Sequence, residues 1–324
     1  MPAMHIVVLG CGVSGLSCGI RLLEAGHTVE IWARELPPNT TSDVAAAVWS
    51  PYKAWPQDRV TTWAGRTLEV LCALAERPEA GIQVVRGVEL FTQEPPEPWW
   101  ASCVPTYRRA TAEELPPGYS HGYSFEAPII EMPRYLPFLM GRFRELGGRI
   151  LQREVHSLEE AWREAEVVVN CTGLGARSLV GDDSLYPIRG EVLRVAPPPV
   201  RRFLFDDTEE HGVIAYVIPR SADCILGGTA VEGNTSLVPE PANAAAILAR
   251  CRRLVPPEVH MQVLEHRVGL RPGRPTVRLE LERVAGRRVV HNYGHGGAGV
   301  TLSWGCAEEV VTWVASAPPS AAPA

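Results

Sequence analysis

The first 35 residues constrain this chain more than any other stretch. His5-Ile6-Val7-Val8-Leu9 is a short, β-branched apolar run, the pattern of a parallel strand buried on both faces. Gly10-Cys11-Gly12-Val13-Ser14-Gly15 follows at once. Leu16 to Ala25 then carries Leu16, Ile20 and Leu23 at helical spacing, and Gly26 stops it. His27–Trp32 reads as a second strand, and Glu35 lies 20 positions beyond Gly15. The three glycines serve a tight turn, close approach of backbone to a pyrophosphate, and close helix–strand packing. The helix start presents unpaired N–H groups and partial positive charge to phosphates, and a carboxylate after the second strand can hold ribose hydroxyls. A glycine turn that binds nothing is the plain alternative; strand, glycines, helix, strand and acid together speak against it.

This unit accepts either FAD or NAD, and the front of the chain does not choose between them. Arg34 stands just before Glu35, so a basic residue here could equally meet a phosphate or stack on adenine.

Composition narrows the setting. The formal net charge of −6 and pI near 5.9 argue against nucleic acid or an acidic membrane as partner. Only Lys53 among the 31 basic residues is a lysine, so any Schiff-base chemistry must use it or does not occur. Met1–Leu9 lacks a basic leader region and no apolar run approaches a membrane span, which predicts a soluble, cytoplasmic enzyme. The Pro/Ala-rich stretch 316–324 reads as a flexible tail without a peroxisomal tripeptide. The eight cysteines show no metal-ligand spacing, so no metal is expected and the thiols read as reduced and mostly buried. Scarce Lys, Asn and Gln suggest a high-temperature or GC-biased source and a thermostable protein.

The second half adds three signals. Glu166–Asn170 is another apolar strand, ending in the small-residue turn Cys171-Thr172-Gly173. Such a turn, at a strand's carboxyl end in a doubly wound sheet, is where a cofactor lies. Arg288–Tyr293 is a strand that enters Gly294-His295-Gly296-Gly297-Ala298-Gly299-Val300-Thr301, followed by a helix over Trp304–Val314. Glycines this dense let backbone approach a flat ligand and aim a helix start at developing negative charge. His295 reads as a turn residue with a satisfied ring rather than a base. Arg271, between a strand end and two prolines in Gly269–Pro275, is a preorganised fork for a carboxylate, though an Arg beside Pro is also an ordinary surface charge.

Together with Tyr216-Val217-Ile218-Pro219, these segments occur in an order and spacing that closely resemble the D-amino-acid oxidases, with the D-aspartate oxidases as their nearest relatives. The resemblance spans nearly the whole chain. It implies an α/β fold: a Rossmann-like, doubly wound FAD-binding domain (1–52, 129–184 and 267–324) and a mostly antiparallel substrate domain (53–128 and 185–266). It implies non-covalent FAD contacted by Gly10, Gly12, Val13, Ser14, Gly15, Arg34, Glu35, Thr40, Thr41, Ser42, Ala47, Val48, Val155, Thr172, Gly173, Arg271, Gly296, Gly297, Gly299, Val300 and Thr301. Arg271 and Tyr216 would hold the substrate carboxylate, the Gly297 carbonyl would accept from the amine, and Val48, Tyr52 and Ile218 would line the side-chain pocket. Asp43–Tyr52 looks like the family's segment running from the FAD phosphates to the flavin ring.

The activity so implied is oxidative deamination of D-amino acids: hydride leaves the α-carbon for flavin without a side-chain base, and oxygen then gives hydrogen peroxide. Neutral or apolar side chains are expected. The alternatives are a D-aspartate oxidase, for which Arg220 is the candidate second cation, and an FAD- or NAD-binding protein without oxidase activity. The chain departs from mammalian members at Glu209–Ile214, shorter than their lid and lacking its additional Tyr. Preferred substrate and subunit number are not legible.

Overall fold

The computed structural model describes residues 2–51, 54–197, 200–206, 208 and 214–316. Two sheets organise it. The first has six strands in the order Arg278–Val284, Arg287–Tyr293, Val167–Asn170, His5–Leu9, Thr28–Ala33 and Arg149–Gln152. All neighbours run parallel except the edge pair Arg278–Val284 and Arg287–Tyr293. This is the doubly wound arrangement: His5–Leu9 pairs on one side with the next strand in sequence and on the other with Val167–Asn170. A crevice opens where the order reverses, at the carboxyl ends of those two central strands.

The helix Val13–Glu24 buries Leu16, Ile20 and Leu22 completely, each contributing roughly 1.5–3 kcal/mol of apolar burial. It starts three residues before the apolar spacing predicts, because Gly12 is its cap and the second half of the glycine motif is already helical. Gly15 makes that start fit. A Cβ there would lie 2.0 Å from the Gly10 carbonyl oxygen.

The second sheet is antiparallel except where Phe203–Asp206 runs parallel to Ile82–Phe91. From that junction, Ala215–Pro219, Cys224–Gly227, Tyr186–Val195 and Val231–Glu232 extend one way, His121–Ile130 and Arg108–Arg109 the other. Val263–Gly273 pairs with Tyr186–Val195 as an edge. One face of this sheet packs Val88, Leu204, Val217 and Leu226 against Ile247 and Cys251 of the helix Pro241–Arg252. The opposite face turns toward the first sheet.

Two elements differ from expectation. Arg271 is not at a strand end: it lies within Val263–Gly273, opposite Ile188, and Pro272 continues the strand opposite Pro187. An edge strand tolerates proline because the missing N–H costs no ladder bond. The last helix begins at Gly299 rather than Trp304 and runs to Ser316. Tyr52, Lys53, residues 317–324 and the segment Glu209–Val213 lie outside the described residues. Among the described residues no helix is long and apolar enough to cross a membrane.

Candidate active site

A cavity of about 880 Å³ follows the crevice between the two sheets, within the size range of ligand sites. Its first section is the glycine turn. Gly10 has a φ of 107°, open to glycine at little cost, and a Cβ on it would meet the Cys171 carbonyl oxygen at 2.5 Å. Gly10, Gly12, Val13 and Ser14 line the cavity. Gly15 does not. Its place is against the Gly10 backbone, so it allows the helix start to approach rather than touching a ligand. Gly12 caps the helix without a side-chain hydrogen bond, while the Val13 N–H donates to Ser42 Oγ at 3.1 Å.

From this turn the cavity extends in two directions. Toward the outer strands of the first sheet it meets Arg34, Glu35, Arg153, Glu154 and Val155. Arg34 lies 3.6 Å from Glu35 and 3.5 Å from Glu154, all three exposed enough that these pairs contribute little. Arg153 stacks over the Trp32 ring at 4.0 Å. Both Arg34 and Glu35 thus face the same space, and Arg153 and Glu154 join them without any motif to announce it.

In the other direction lies Thr40–Val48. Thr40 donates from backbone and hydroxyl to Asp43 Oδ2 at 2.8 and 2.7 Å, closing a one-turn box. Thr40, Thr41, Ser42, Ala47 and Val48 all line the cavity. Ala47 has a φ of 52°, uncommon for a residue with a side chain. Its surroundings hold it there: the Ile130 N–H donates to the Ala47 carbonyl at 2.7 Å, Val48 bridges Ile129, and the Trp49 N–H donates to Pro128 O. Ser50 N–H then donates to Thr301 Oγ1 at 3.1 Å, and that hydroxyl donates to Ser50 O at 2.9 Å. The Thr301 hydroxyl therefore clamps this segment onto the start of the last helix.

Three backbone turns close the centre. Thr172 and Gly173, after Val167–Asn170, line the cavity, and Asn170 Oδ1 accepts from the Thr172 N–H and hydroxyl. Gly296 and Gly297 do so after Arg287–Tyr293, and Gly299, Val300 and Thr301 bring the last helix's N-terminus to the same wall. His295 is buried with Nε2 3.0 Å from Asn292 Oδ1. Burial holds its pKa down at about 4, so the ring is neutral near pH 7 and too weakly basic to hold a proton there.

The second sheet supplies the remaining wall. Tyr216 is buried, its ring lying over Gly227, where a Cβ would fall within 1.8 Å of the ring. The Arg271 guanidinium lies over Gly190 in the same manner, 2.2 Å from the would-be Cβ, and Nη1 donates to Thr229 O at 3.0 Å. Two glycines thus make room for the two polar side chains on neighbouring strands. Neither Gly190 nor the Thr229 carbonyl carries a sequence motif. Phe205 meets the Tyr216 ring edge-on at 6.4 Å, and Val48, Ile214 and Ile218 complete an apolar patch beside them. Arg220 is not part of this wall. Its guanidinium is paired with Asp223 at 2.6 and 2.8 Å, which removes it as a cation for an acidic side chain.

The donor set fits a long dinucleotide that ends in a flat ring. Two helix starts and a pinned turn, with glycine where a Cβ would collide, face one continuous space. Among the described residues no cluster of His, Cys, Asp or Glu could hold a metal ion, and all eight cysteines are free.

Comparison with known proteins agrees with this geometry. The family model described as FAD dependent oxidoreductase matches residues 5–313. The D-amino-acid oxidase of Rubrobacter xylanophilus is 55% identical over 313 residues, 96% of each chain. The D-aspartate oxidase of Homo sapiens is 38% identical over 330 aligned positions, covering 97% of this chain and 95% of that one. Among solved structures, glycine oxidase from Geobacillus kaustophilus has the same fold, with a TM-score of 0.80 at 19% identity over 98% of this chain and 96% of that one.

Proposed function

The chain belongs to the family of FAD-dependent oxidoreductases that includes the D-amino-acid oxidases, as a flavin-dependent amino acid oxidase, and on that premise we propose that it deaminates neutral D-amino acids. One observation carries the reading: Arg271, over Gly190, and Tyr216, over Gly227, line the same cavity as Gly296, Gly297 and the helix start Gly299–Thr301.

Arg271 offers a planar fork whose Nη1 is already oriented by Thr229 O, which leaves its remaining N–H groups to pair with an α-carboxylate. The Tyr216 hydroxyl donates to the same group. The Gly297 carbonyl accepts from the α-amine and so fixes the third substituent. With carboxylate and amine pinned, one enantiomer alone presents its α-hydrogen to the glycine-lined face while its side chain enters the Val48, Ile218 patch. When bound, non-covalently, FAD would supply a two-electron acceptor there and pass the electrons to oxygen as hydrogen peroxide, while water would hydrolyse the imino acid to the 2-oxo acid and ammonia.

The chain's own contribution is orientation and electrostatics. The start of the last helix, Gly299–Thr301, puts partial positive charge where negative charge develops. Neutral His295 leaves the α-amine to lose its proton to solvent. Gly10–Ser14, Thr40–Ser42 and Thr172–Gly173 would hold the pyrophosphate section, with Arg34 or Glu35 at the ribose. The residue ranges 1–52, 129–184 and 267–324 are taken as the FAD-binding unit, and 53–128 with 185–266 as the substrate unit. Tyr52 would line the side-chain pocket with Val48 and Ile218.

The D-aspartate alternative requires a second cation near that pocket, and the pairing of Arg220 with Asp223 weighs against it. In an oxygen electrode, D-alanine and D-valine should each drive oxygen uptake, with peroxide in equal amount, at least tenfold faster than D-aspartate at equal low concentration. The opposite order would contradict the neutral preference.

A further inference from the structure

Asn170 ends the strand Val167–Asn170 and is fully buried. Its side-chain oxygen accepts from the Thr172 N–H at 3.2 Å and from the Thr172 hydroxyl at 2.7 Å. A backbone N–H can only donate, so the oxygen of this amide faces Thr172 and its NH2 group faces the other way. There it meets Nδ1 of His291 at 3.3 Å. His291, equally buried, lies opposite Asn170 in the neighbouring strand Arg287–Tyr293. The NH2 group has only hydrogens to offer, so Nδ1 is the unprotonated nitrogen of the ring.

The other ring nitrogen agrees. Nε2 is 2.9 Å from Glu282 Oε2 on the edge strand Arg278–Val284. Arg278 Nη2 donates to that same oxygen at 2.7 Å, which marks it as an ionised acceptor and leaves the ring's proton on Nε2. Burial pushes the His291 pKa down and Arg278 adds to this; Glu282 and Glu280 oppose it without reversing it, so the ring is neutral near pH 7. Donors therefore run in a single direction from the cavity wall to the surface. Thr172 donates to Asn170, Asn170 to His291, and His291 to the partly exposed Glu282.

The turn held at the inner end of this chain has little room to move. The Cys171 carbonyl oxygen would lie 2.5 Å from a Cβ on Gly10, so the Cys171–Gly173 turn and the glycine turn pack backbone to backbone. Turning the Asn170 amide over would set its NH2 group against the Thr172 N–H, donor against donor, and release the turn.

We propose that His291 is a positioning residue for the cofactor: as the acceptor at Nδ1 it fixes the orientation of the Asn170 amide, and through it the Thr172 turn against which FAD binds. The inference rests on that turn being part of the FAD site, as read above. The opposite tautomer, or a charged ring, would present N–H to N–H and free the amide to turn over.

The test is FAD titration of the apoprotein, followed by flavin fluorescence, for the parent, His291→Asn and His291→Gln. The Asn amide branches at the same carbon as Nδ1 and can accept from Asn170. The Gln amide branches one carbon further out, level with Nε2, and leaves the Asn170 NH2 group without its acceptor. FAD should bind His291→Gln about tenfold more weakly than the parent, and His291→Asn within about threefold of it. Packing alone predicts the reverse order, because Gln fills more of the ring's space. Equal affinities, or Gln tighter than Asn, would overturn the assignment. A parent that takes up no FAD would refute the proposed function and this inference with it; a parent that binds FAD beside variants in the wrong order would refute this inference alone. If the core variants do not fold, side-chain nitrogen-15 spectra of the parent decide. The His291 ring, assigned by its shift in the surface variant Glu282→Gln, should carry its proton on Nε2, and a protonated Nδ1 would overturn the role.

Discussion

Arg271→Ala should weaken the binding of D-alanine by about thirty- to several-thousandfold and leave FAD in place. The range follows from the cost of removing one partner of a desolvated charge pair, about 2–5 kcal/mol, at ~1.4 kcal/mol per factor of ten. The guanidinium is anchored to Thr229 O and lies over Gly190, so its removal opens the wall built on the second sheet, while the glycine turn at Gly10–Gly15 is carried by the first. Arg271→Lys separates charge from geometry. It restores a cation without the planar fork and should recover only part of the loss. Steady-state kinetics over a wide D-alanine range, with the flavin absorbance recorded on the same sample, checks both expectations. Near-normal turnover of Arg271→Ala at low D-alanine would remove the guanidinium from the carboxylate.

The second large effect is expected at Gly15. In Gly15→Ala the new methyl would sit 2.0 Å from the Gly10 carbonyl oxygen, 2.9 Å from its carbon and 3.6 Å from Val8 Cγ1. Backbone cannot rotate away as a flexible side chain would, so the helix Val13–Glu24 must move off the strand His5–Leu9. That shift misaligns the N–H groups aimed into the cavity and overpacks a core in which Leu16 and Ile20 are fully buried, an error costing about 1–3 kcal/mol in stability. Purified variant should carry little flavin, bind added FAD at least tenfold more weakly, and melt at a lower temperature. Full flavin content with an unshifted melting midpoint would contradict the packing role.

The front of the chain was legible because its constraints are local. A strand, a turn that needs positive φ at Gly10 and a helix too close for a Cβ at Gly15 all lie within a dozen residues, and each leaves a glycine at a fixed offset. The Cys171–Gly173 and Gly294–Thr301 turns were readable for the same reason. Arg271 was found as a residue but misplaced as an element: Pro272 reads as a strand breaker, and only the sheet's edge, set by pairing with Tyr186–Val195, makes it compatible with a strand. The last helix was read too short because glycine and small residues at its start suggest loop, whereas Leu302 N–H already donates to Ala298 O.

What stayed silent is what sheets bring together over long separations. Gly190, between Arg189 and Glu191, has no local signature, yet it makes room for a side chain 81 positions later (271 − 190). Phe205 and Glu89 join the cavity wall only through register across parallel strands. Arg220 shows the converse. Chemistry and sequence position made it a candidate cation, and Asp223, three residues on, holds it instead.

The central claim is that a carboxylate fork and a glycine-lined ring site hold an amino acid in one handedness. Anaerobic mixing of the FAD-loaded protein with D-alanine and, separately, L-alanine tests it most directly, with flavin absorbance as the signal. The account predicts complete bleaching by the D-enantiomer and none by the L-enantiomer; equal bleaching by both, or none by D-alanine, would contradict it.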